Sequence, residues 1–498
     1  MRELFSNFFD YFILFYSGSI ITSYILMVYL AWRKHIKRKI FHDPQYTIQL
    51  LRNSPYTPGI SIVAPAYNEE KTIITNVLSL LSLDYPDFEV VIVNDGSKDK
   101  TLQLLIEHFD LVEVPYAYIE KIKTKPFKCV YATKSDNPMF KRLRVVDKEN
   151  GGTKADATNA GINIVSNDYF VCTDVDCIIE KYALYRTIWP LMQSARRVIA
   201  VSASMRMSNG CEVKEGQMSK VLPPHSLIPL FQDLEYARSY LIGKSAFASI
   251  NGMINVSGGF GLFDTEIAIK AGGYDGDSFA EDMDLLARMI RYMCDSGEDY
   301  RIVQIPEICC WTEGPPTLRV LSRQRVRWGR GLFQHMTIHR DMLFRKVYRI
   351  YGMVTLPYVF IFELLAPAVE ACGYLMILYL ILSNSLNWGT MLLVFFSLYC
   401  FAQAMTMIVI SFDMKFKGSF EKKSNYFWFL LASLLEPIIY HPMLVFFSLR
   451  GYFKHITGKK MVWGAMTRQG VKGGNSAQTT AEASPAEQEL KESGSSEN

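Results

Sequence analysis

Charged residues are scarce in this chain. They make up 20% of 498 residues, against 49% hydrophobic ones. That is too apolar for an ordinary soluble enzyme and too charged for a pure membrane bundle, so a soluble domain joined to several spans fits best. The charges nearly cancel, leaving a net +4, which supplies no global field for nucleic acid; the positive charge is clustered beside apolar segments instead. The nine cysteines form no C-x-x-C pair and no even framework, which points to reduced thiols in a cytosolic setting and away from a zinc site. Neither G-x-G-x-x-G nor G-x-x-x-x-G-K-[ST] occurs, so dinucleotide and P-loop readings lose their main support.

Long apolar runs are present. Phe12 to Trp32 carries no charge and is followed at once by RKHIKRK. A span needs about 20 apolar residues. The basic cluster after the run, and the lack of a small-residue cleavage site, favour a retained span over a signal peptide. The positive-inside rule then places the chain from Arg33 to about residue 350 in the cytoplasm. Apolar segments return at about 353–383, 390–412 and 426–449 and contain Glu363, Glu370, Glu436 and His441. Ionisable groups at such depth face a protein interior or a wet path, and both readings stand, with Glu363 and Glu370 on one helix face. One span before the domain and three after it would put the C-terminus outside. Yet RGYFKHITGKK and the loop MKFKGSFEKKSN are both basic. Either a segment is re-entrant or 353–383 crosses incompletely.

Between these regions short apolar runs alternate with helical patterns. GISIVAPAYNEE, FEVVIVNDGSKD, LRVVDKENGGTKADATNAG and YFVCTDVD each read as a strand running into a polar turn or helix. The alternation predicts a doubly wound, mostly parallel α/β sheet in the cytoplasm, plus a transmembrane helical region. Ligands of such sheets lie beyond the carboxyl ends of the strands. Asp95, Lys154, Asp174 and Asp176 all fall just after strands or at helix starts. Of three D-x-D pairs, Asp174/Asp176 alone follows an apolar strand directly; as a lone pattern it is equally a turn with solvated carboxylates. Asp275/Asp277 reads as a turn, and Asp282 opens a helical pattern, where a cap would suffice. Carboxylates that hold Mg2+ or Mn2+ offer another way to bind a phosphate-bearing ligand.

Seven short motifs stand in order: APAYNEE, VNDGSKD, GGTKADATNAG, TDVDC, SGGFGLF, AEDMDLLAR and QRVRW. Over about residues 55–335 the chain thereby resembles the membrane-embedded, inverting family 2 glycosyltransferases, among them hyaluronan, chitin-oligosaccharide, poly-N-acetylglucosamine and cellulose synthases. The resemblance implies a GT-A-like fold and a UDP-sugar donor whose uracil meets Asp95 and whose diphosphate lies near Lys154. Asp174 and Asp176 bind metal and diphosphate, with Asp176 the metal ligand and Mg2+ or Mn2+ the ion. It makes Asp282 the catalytic base, and Gln324, Arg327 and Trp328 the set that closes over the diphosphate and the acceptor end. Gln232, Asp233 and Glu235 fall near the acceptor by the same likeness. Two departures stand out. Thr153 precedes Lys154 where many relatives have Gly, and Phe263 and Asp264 occupy positions where many have a basic pair, which bears on the acceptor contacts and the sugar. Trp311 reads as a buried aromatic more readily than as a sugar platform.

The expected organisation is a transmembrane helix at 1–33, a basic linker at 34–57 and the glycosyltransferase domain at 58–316. Interfacial helices with Q-x-x-R-W follow at 317–350, transmembrane helices at 351–450, a basic interfacial segment at 451–470 and a disordered tail at 471–498. The expected activity is processive polymerisation of a UDP-sugar, first UDP-N-acetylglucosamine, coupled to export from the plasma (inner) membrane. The acceptor is the growing polysaccharide or a lipid-linked one, and other secretion-complex subunits are conceivable partners. The alternatives are transfer of one sugar to a lipid carrier and a non-catalytic sensor or scaffold. Within SRQRVRWGRG, helical spacing places Gln324, Arg327 and Trp328 on one face. Arg323 and Arg330 fall on a flank about 100° away, expected to meet lipid headgroups, and Arg325 is unassigned.

Overall fold

The computed structural model describes residues 2–41, 44–214, 216–415, 420 and 422–458. Among the described residues, ten strands form one sheet and two more a separate hairpin. The strands are β1 (Ile60–Ala66), β2 (Phe88–Asp95), β3 (Leu111–Val114), β4 (Phe127–Thr133), β5 (Leu143–Lys148), β6 (Tyr169–Thr173), β7 (Ile178–Ile179), β8 (Arg197–Met207), β9 (Glu212–Lys214), β10 (Gln217–Lys220), β11 (Phe260–Asp264) and β12 (Tyr300–Thr312). Their order is β3-β4-β5-β2-β1-β6-β11-β8-β12-β7, with β10-β9 as the hairpin.

The run β5-β2-β1-β6 is parallel, as the strand–helix alternation predicts. The sheet as a whole is mixed rather than mostly parallel, because β11 lies antiparallel to both β6 and β8, and β3, β4 and β7 pair antiparallel at the edges. The reason the pattern misleads is burial. β8 and β11 are covered on both faces, so they lose the alternation that marks a half-exposed antiparallel strand and read like parallel ones. Two apolar layers cover the faces, one built on Ile62, Val90, Leu105 and Val201 and the other on Val63, Ile162, Phe170 and Leu286.

Among the described residues, four helices are long and apolar enough to cross a membrane: Phe15–Ile36, Tyr351–Leu382, Trp388–Lys415 and Lys423–Ile456. The first docks by its C-terminal end: the Lys34 ammonium donates to the Gln304 carbonyl at 2.8 Å, and His35 Nε2 bonds the Leu241 carbonyl at 2.8 Å. The second begins on the domain, where Tyr351, Leu356 and Val359 are buried, and has no fully buried residue in Ala366–Leu382, where Glu370 bonds His441 of the fourth at 2.7 Å. The fourth behaves differently. Near its start, Tyr426 donates to Asp413 at 2.6 Å, and Asp413 accepts from Arg206 of β8 at 2.9 Å. Its middle bonds Glu235 through the Tyr440 hydroxyl at 3.0 Å. Its last turns lie on the Leu318–Ile338 helix, where Phe333 and Tyr452 rings are 5.7 Å apart and a Cβ at Gly451 would fall 2.6 Å from the Val326 carbonyl. Phe427, Trp428, Ile438, Phe446 and Phe453 point the other way and are exposed. All nine cysteines are free thiols. The expected tail from 471, and the basic segment beyond 458, lie outside the described residues.

Candidate active site

β2 ends on Asp95, and the chain turns through Gly96 at φ +62°, where a Cβ would meet the Asn150 amide nitrogen at 2.8 Å. The Asp95 carboxylate accepts from Lys148 Nζ at 2.8 Å and from the Gly151 amide at 2.9 Å. Lys148, fully buried, also pairs with Asp156. Register explains the meeting, since Asp95 and Lys148 are neighbours across parallel β2 and β5. Lys148 is the site-forming residue that the motif reading misses; its only sequence signal is its place as the last residue of a buried strand.

The Lys154–Ile164 helix starts beside this pair. Thr153, which stands where many relatives have Gly, is its N-cap and accepts from the Asp156 amide, so the substitution serves the helix start. Lys154 Nζ lies 2.6 Å from Asp174 and donates to the Gly258 carbonyl at 2.8 Å. Burial works against its charge, but Asp174, aided by Glu281, outweighs that and holds the ammonium above the ordinary lysine range.

Asp174, Asp176 and Cys177 present ligand atoms within 4.8 Å of one another in the turn after β6. Two carboxylates suit a hard divalent ion, whereas the buried thiol is a soft ligand and does not define the set. The Ser257–Gly259 turn passes between these acids and Asp282. A Cβ at Gly259 would lie 3.6 Å from Asp174 Oδ2, and one at Gly258 3.6 Å from Lys154 Nζ and 3.9 Å from Asp282 Cβ. The two glycines thus keep the metal-type acids, the lysine and Asp282 around one narrow space.

Asp282 is the second residue of the Glu281–Asp295 helix. Its Oδ1 accepts from the Met283 amide at 2.9 Å and its Oδ2 from Asn255 at 3.4 Å. Asp282 is half-buried, in contrast to Glu281 and Asp284 beside it. Burial pushes the Glu281 carboxyl up, with Arg327 opposing. Asp284 instead serves packing, accepting from His339 at 2.9 Å and from Arg288 at 2.8 Å.

The Leu318–Ile338 helix brings Arg327 to this point, 4.0 Å from Glu281 and donating to the Phe279 carbonyl at 3.4 Å. Gln324, Arg327 and Trp328 are all half-buried. Arg325, unassigned by spacing, bonds both Glu235 oxygens at 2.6 and 2.7 Å, donates to the Tyr440 hydroxyl at 2.9 Å, and lies 4.3 Å over the Trp328 ring. Arg330 does not reach lipid: it is 7% exposed and stacks 3.9 Å over Phe279. Gly331 allows the flank to approach Phe279 and Ala280 of the domain, and Gly329 allows it to approach Ser448 of the fourth apolar helix; Arg323 is exposed.

Several other residues prove structural. Asp233 pairs with Arg206 at 2.8 Å, and Trp311 is buried opposite β7. Asp275 caps its own turn by accepting from the Asp277 amide at 2.9 Å. Phe263 stacks on Phe170, and Asp264 pairs with Arg197 and caps the Thr265–Lys270 helix. The two positions that depart from the basic pair therefore belong to the core.

A mixed sheet whose switch-region strand ends carry a D-x-D turn, a lysine-headed helix and a half-buried Asp at a helix start defines a GT-A glycosyltransferase. A mannosyltransferase from Pyrobaculum calidifontis, solved with GDP-Man and Mn2+, shares the fold at TM-score 0.51 and 16% identity, covering 87% of this chain and all of that one. The description "Glycosyl transferase family 2" matches residues 61–125 and 129–241, and "Glycosyl transferase family group 2" matches 219–446. The chain belongs to the family 2 glycosyltransferases. It is similar to a poly-beta-1,6-N-acetyl-D-glucosamine synthase of Staphylococcus epidermidis, at 30% identity over 57% of this chain and 56% of that protein. The same named synthase of Staphylococcus aureus (strain COL) is 28% identical over 66% of each chain. The matched region thus spans between about half and two thirds of these relatives.

Proposed function

We propose that the protein is a processive, inverting β-glycosyltransferase that polymerises UDP-N-acetylglucosamine into a polysaccharide and passes it out through its spans. The observation that carries this reading is the Leu318–Ile338 helix. One of its faces holds Arg327 4.0 Å from Glu281, and Arg325, stacked on Trp328, ties it to Tyr440 of an apolar membrane-type helix. The reacting centre and the membrane segment share one rigid element. The similarity to poly-N-acetylglucosamine synthases supports the choice of sugar.

In this reading Asp95 reads the uracil edge. Lys154 and Arg327 offset the charge that grows on the leaving diphosphate. Asp282 takes the proton from the acceptor hydroxyl as its oxygen bonds the anomeric carbon and the bond to the diphosphate breaks, inverting that carbon. Asp176 with Asp174 would hold a Mg2+ or Mn2+ ion, which adds charge neutralisation at the diphosphate when bound. Trp328 offers a face on which the chain end stacks.

The membrane reading follows from contacts. The helix Lys423–Ile456 meets Arg206 at its start through Asp413, Glu235 at its middle, and the Leu318–Ile338 helix at its end, which supports both its ends lying on one side of a bilayer. It lies along the interface with its apolar side to lipid, which leaves Phe15–Ile36, Ala366–Leu382 and Trp388–Lys415 as three crossings of a plasma (inner) membrane. The catalytic domain and both basic segments then share the cytoplasmic side, which removes the conflict in the sequence.

The test is to incubate membranes bearing the protein with single radiolabelled UDP-sugars and Mg2+ or Mn2+, then digest the product with specific glycosidases. Label from UDP-N-acetylglucosamine alone should enter a long product cleaved by an N-acetylglucosaminidase. Free sugar or a single-addition lipid product would contradict the proposal.

A further inference from the structure

One charged side chain, Lys244, has no contact with the donor-site residues described above. It ends a π-helical turn, Ser239–Lys244, that interrupts the helical run from Leu227 to Ser249. Such turns are uncommon and often accompany functional sites. The side chain is 9% exposed, and among the described residues its ammonium makes no hydrogen bond and no ion pair; its one close neighbour is the Tyr240 ring, 4.5 Å away. A charge on so largely buried a side chain is disfavoured unless a partner meets it. The carboxylate acting on it is Asp282, and burial with only that opposition brings the amine down to about 8. Tyr240, one turn back, lies beside Ser257, which precedes the glycines between Lys154 and Asp282. Lys244 therefore stands on the Asp282 side of the site, whereas Lys154 stands on the Asp174 side.

We propose that Lys244 is a substrate-contacting residue of the acceptor subsite, its ammonium donating to an oxygen of the acceptor sugar next to the hydroxyl that Asp282 deprotonates. An ammonium has three donors and no acceptor, so its partner must bring oxygens, as a sugar rim does. The donor phosphates are already met by Lys154 and Arg327 across the Ser257–Gly259 turn. This assignment rests on the protein being a polymerase of N-acetylglucosamine.

The experiment measures purified full-length protein in detergent, with UDP-N-acetylglucosamine and a β-1,6-linked N-acetylglucosamine pentasaccharide as acceptor probe. Lys244→Met should raise the KM for the pentasaccharide at least tenfold and leave the donor KM within twofold, and Lys244→Arg should recover most of the loss. The unfolding temperature of Lys244→Met should equal or exceed that of the wild type, since the variant removes an unpaired buried charge. An unchanged acceptor KM, or a rise in the donor KM alone, overturns the assignment. So does a lower unfolding temperature in both Lys244→Met and Lys244→Gln, which would make Lys244 a structural residue. If the wild type makes no polymer, the polymerase reading falls; the stability comparison still decides whether Lys244 is held for a ligand.

Discussion

Individual residues at the strand ends make up the candidate site, and the sequence reveals them only where their neighbours do. Asp95, Lys154, Asp174 and Asp176 are legible because each breaks an apolar strand or opens a helix, where a polar side chain has no packing role. Lys148 and Lys244 are not. One is the last residue of a buried strand and becomes meaningful only when parallel register places it beside Asp95; the other looks like a solvated helix lysine until the π-turn buries it. Burial of Lys244 has a consequence for pH. Its folded-state pKa is down at about 8, below an ordinary lysine at about 10.4. Between those values the unfolded chain binds more protons, so folding stability rises with pH through that window. Asp282 and Tyr240 face the amine and are unchanged in Lys244→Met. The stability advantage of that variant at pH 7 should therefore shrink towards pH 10 in denaturant unfolding curves, and an advantage independent of pH would mean that the buried charge is not its cause.

Helices and strands are legible by period and less so by partner. The spacing in SRQRVRWGRG puts Gln324, Arg327 and Trp328 on one face, and the helix brings Arg327 to 4.0 Å from Glu281. Spacing cannot show which neighbour covers a flank, so it points Arg330 towards lipid although the side chain stacks on Phe279. Arg325 carries the greater weight. Arg325→Ala leaves Glu235 without its bidentate partner in a largely buried setting, a loss of about 3–5 kcal/mol, and frees the Trp328 ring. Thermal unfolding should fall accordingly, and surviving activity should give shorter chains on a sizing column. Arg330→Ala should cost only about 0.5–2 kcal/mol, the worth of a cation–π contact, and leave membrane association in flotation assays unchanged. Equal detachment from membranes in both variants would restore the lipid role.

On the scale of the whole molecule, hydropathy finds four apolar helices but cannot tell a crossing from a helix laid along an interface, because both need the same residues. The proposed topology rests on contacts instead. With Cys372 and Cys400, the two exposed native thiols, replaced by Ser, Thr457→Cys should react with an impermeant maleimide only after the cytoplasmic face is opened. Ser385→Cys, in the turn between the Ala366–Leu382 and Trp388–Lys415 helices, should react in intact cells. Labelling of Thr457→Cys from outside would mean that Lys423–Ile456 crosses after all.

All three scales meet at Asp282, which the Ser257–Gly259 turn, the lysines and the membrane-linked arginine helix surround. The most direct measurement is the initial rate of sugar transfer from UDP-N-acetylglucosamine by purified Asp282→Asn, alongside calorimetric binding of UDP. A base of this kind contributes about 10²–10⁴-fold, so transfer should fall by at least about 100-fold while UDP binds within about twofold of the wild type. Transfer within tenfold of the wild type would show that another group takes the proton and that the site is assembled around a different residue.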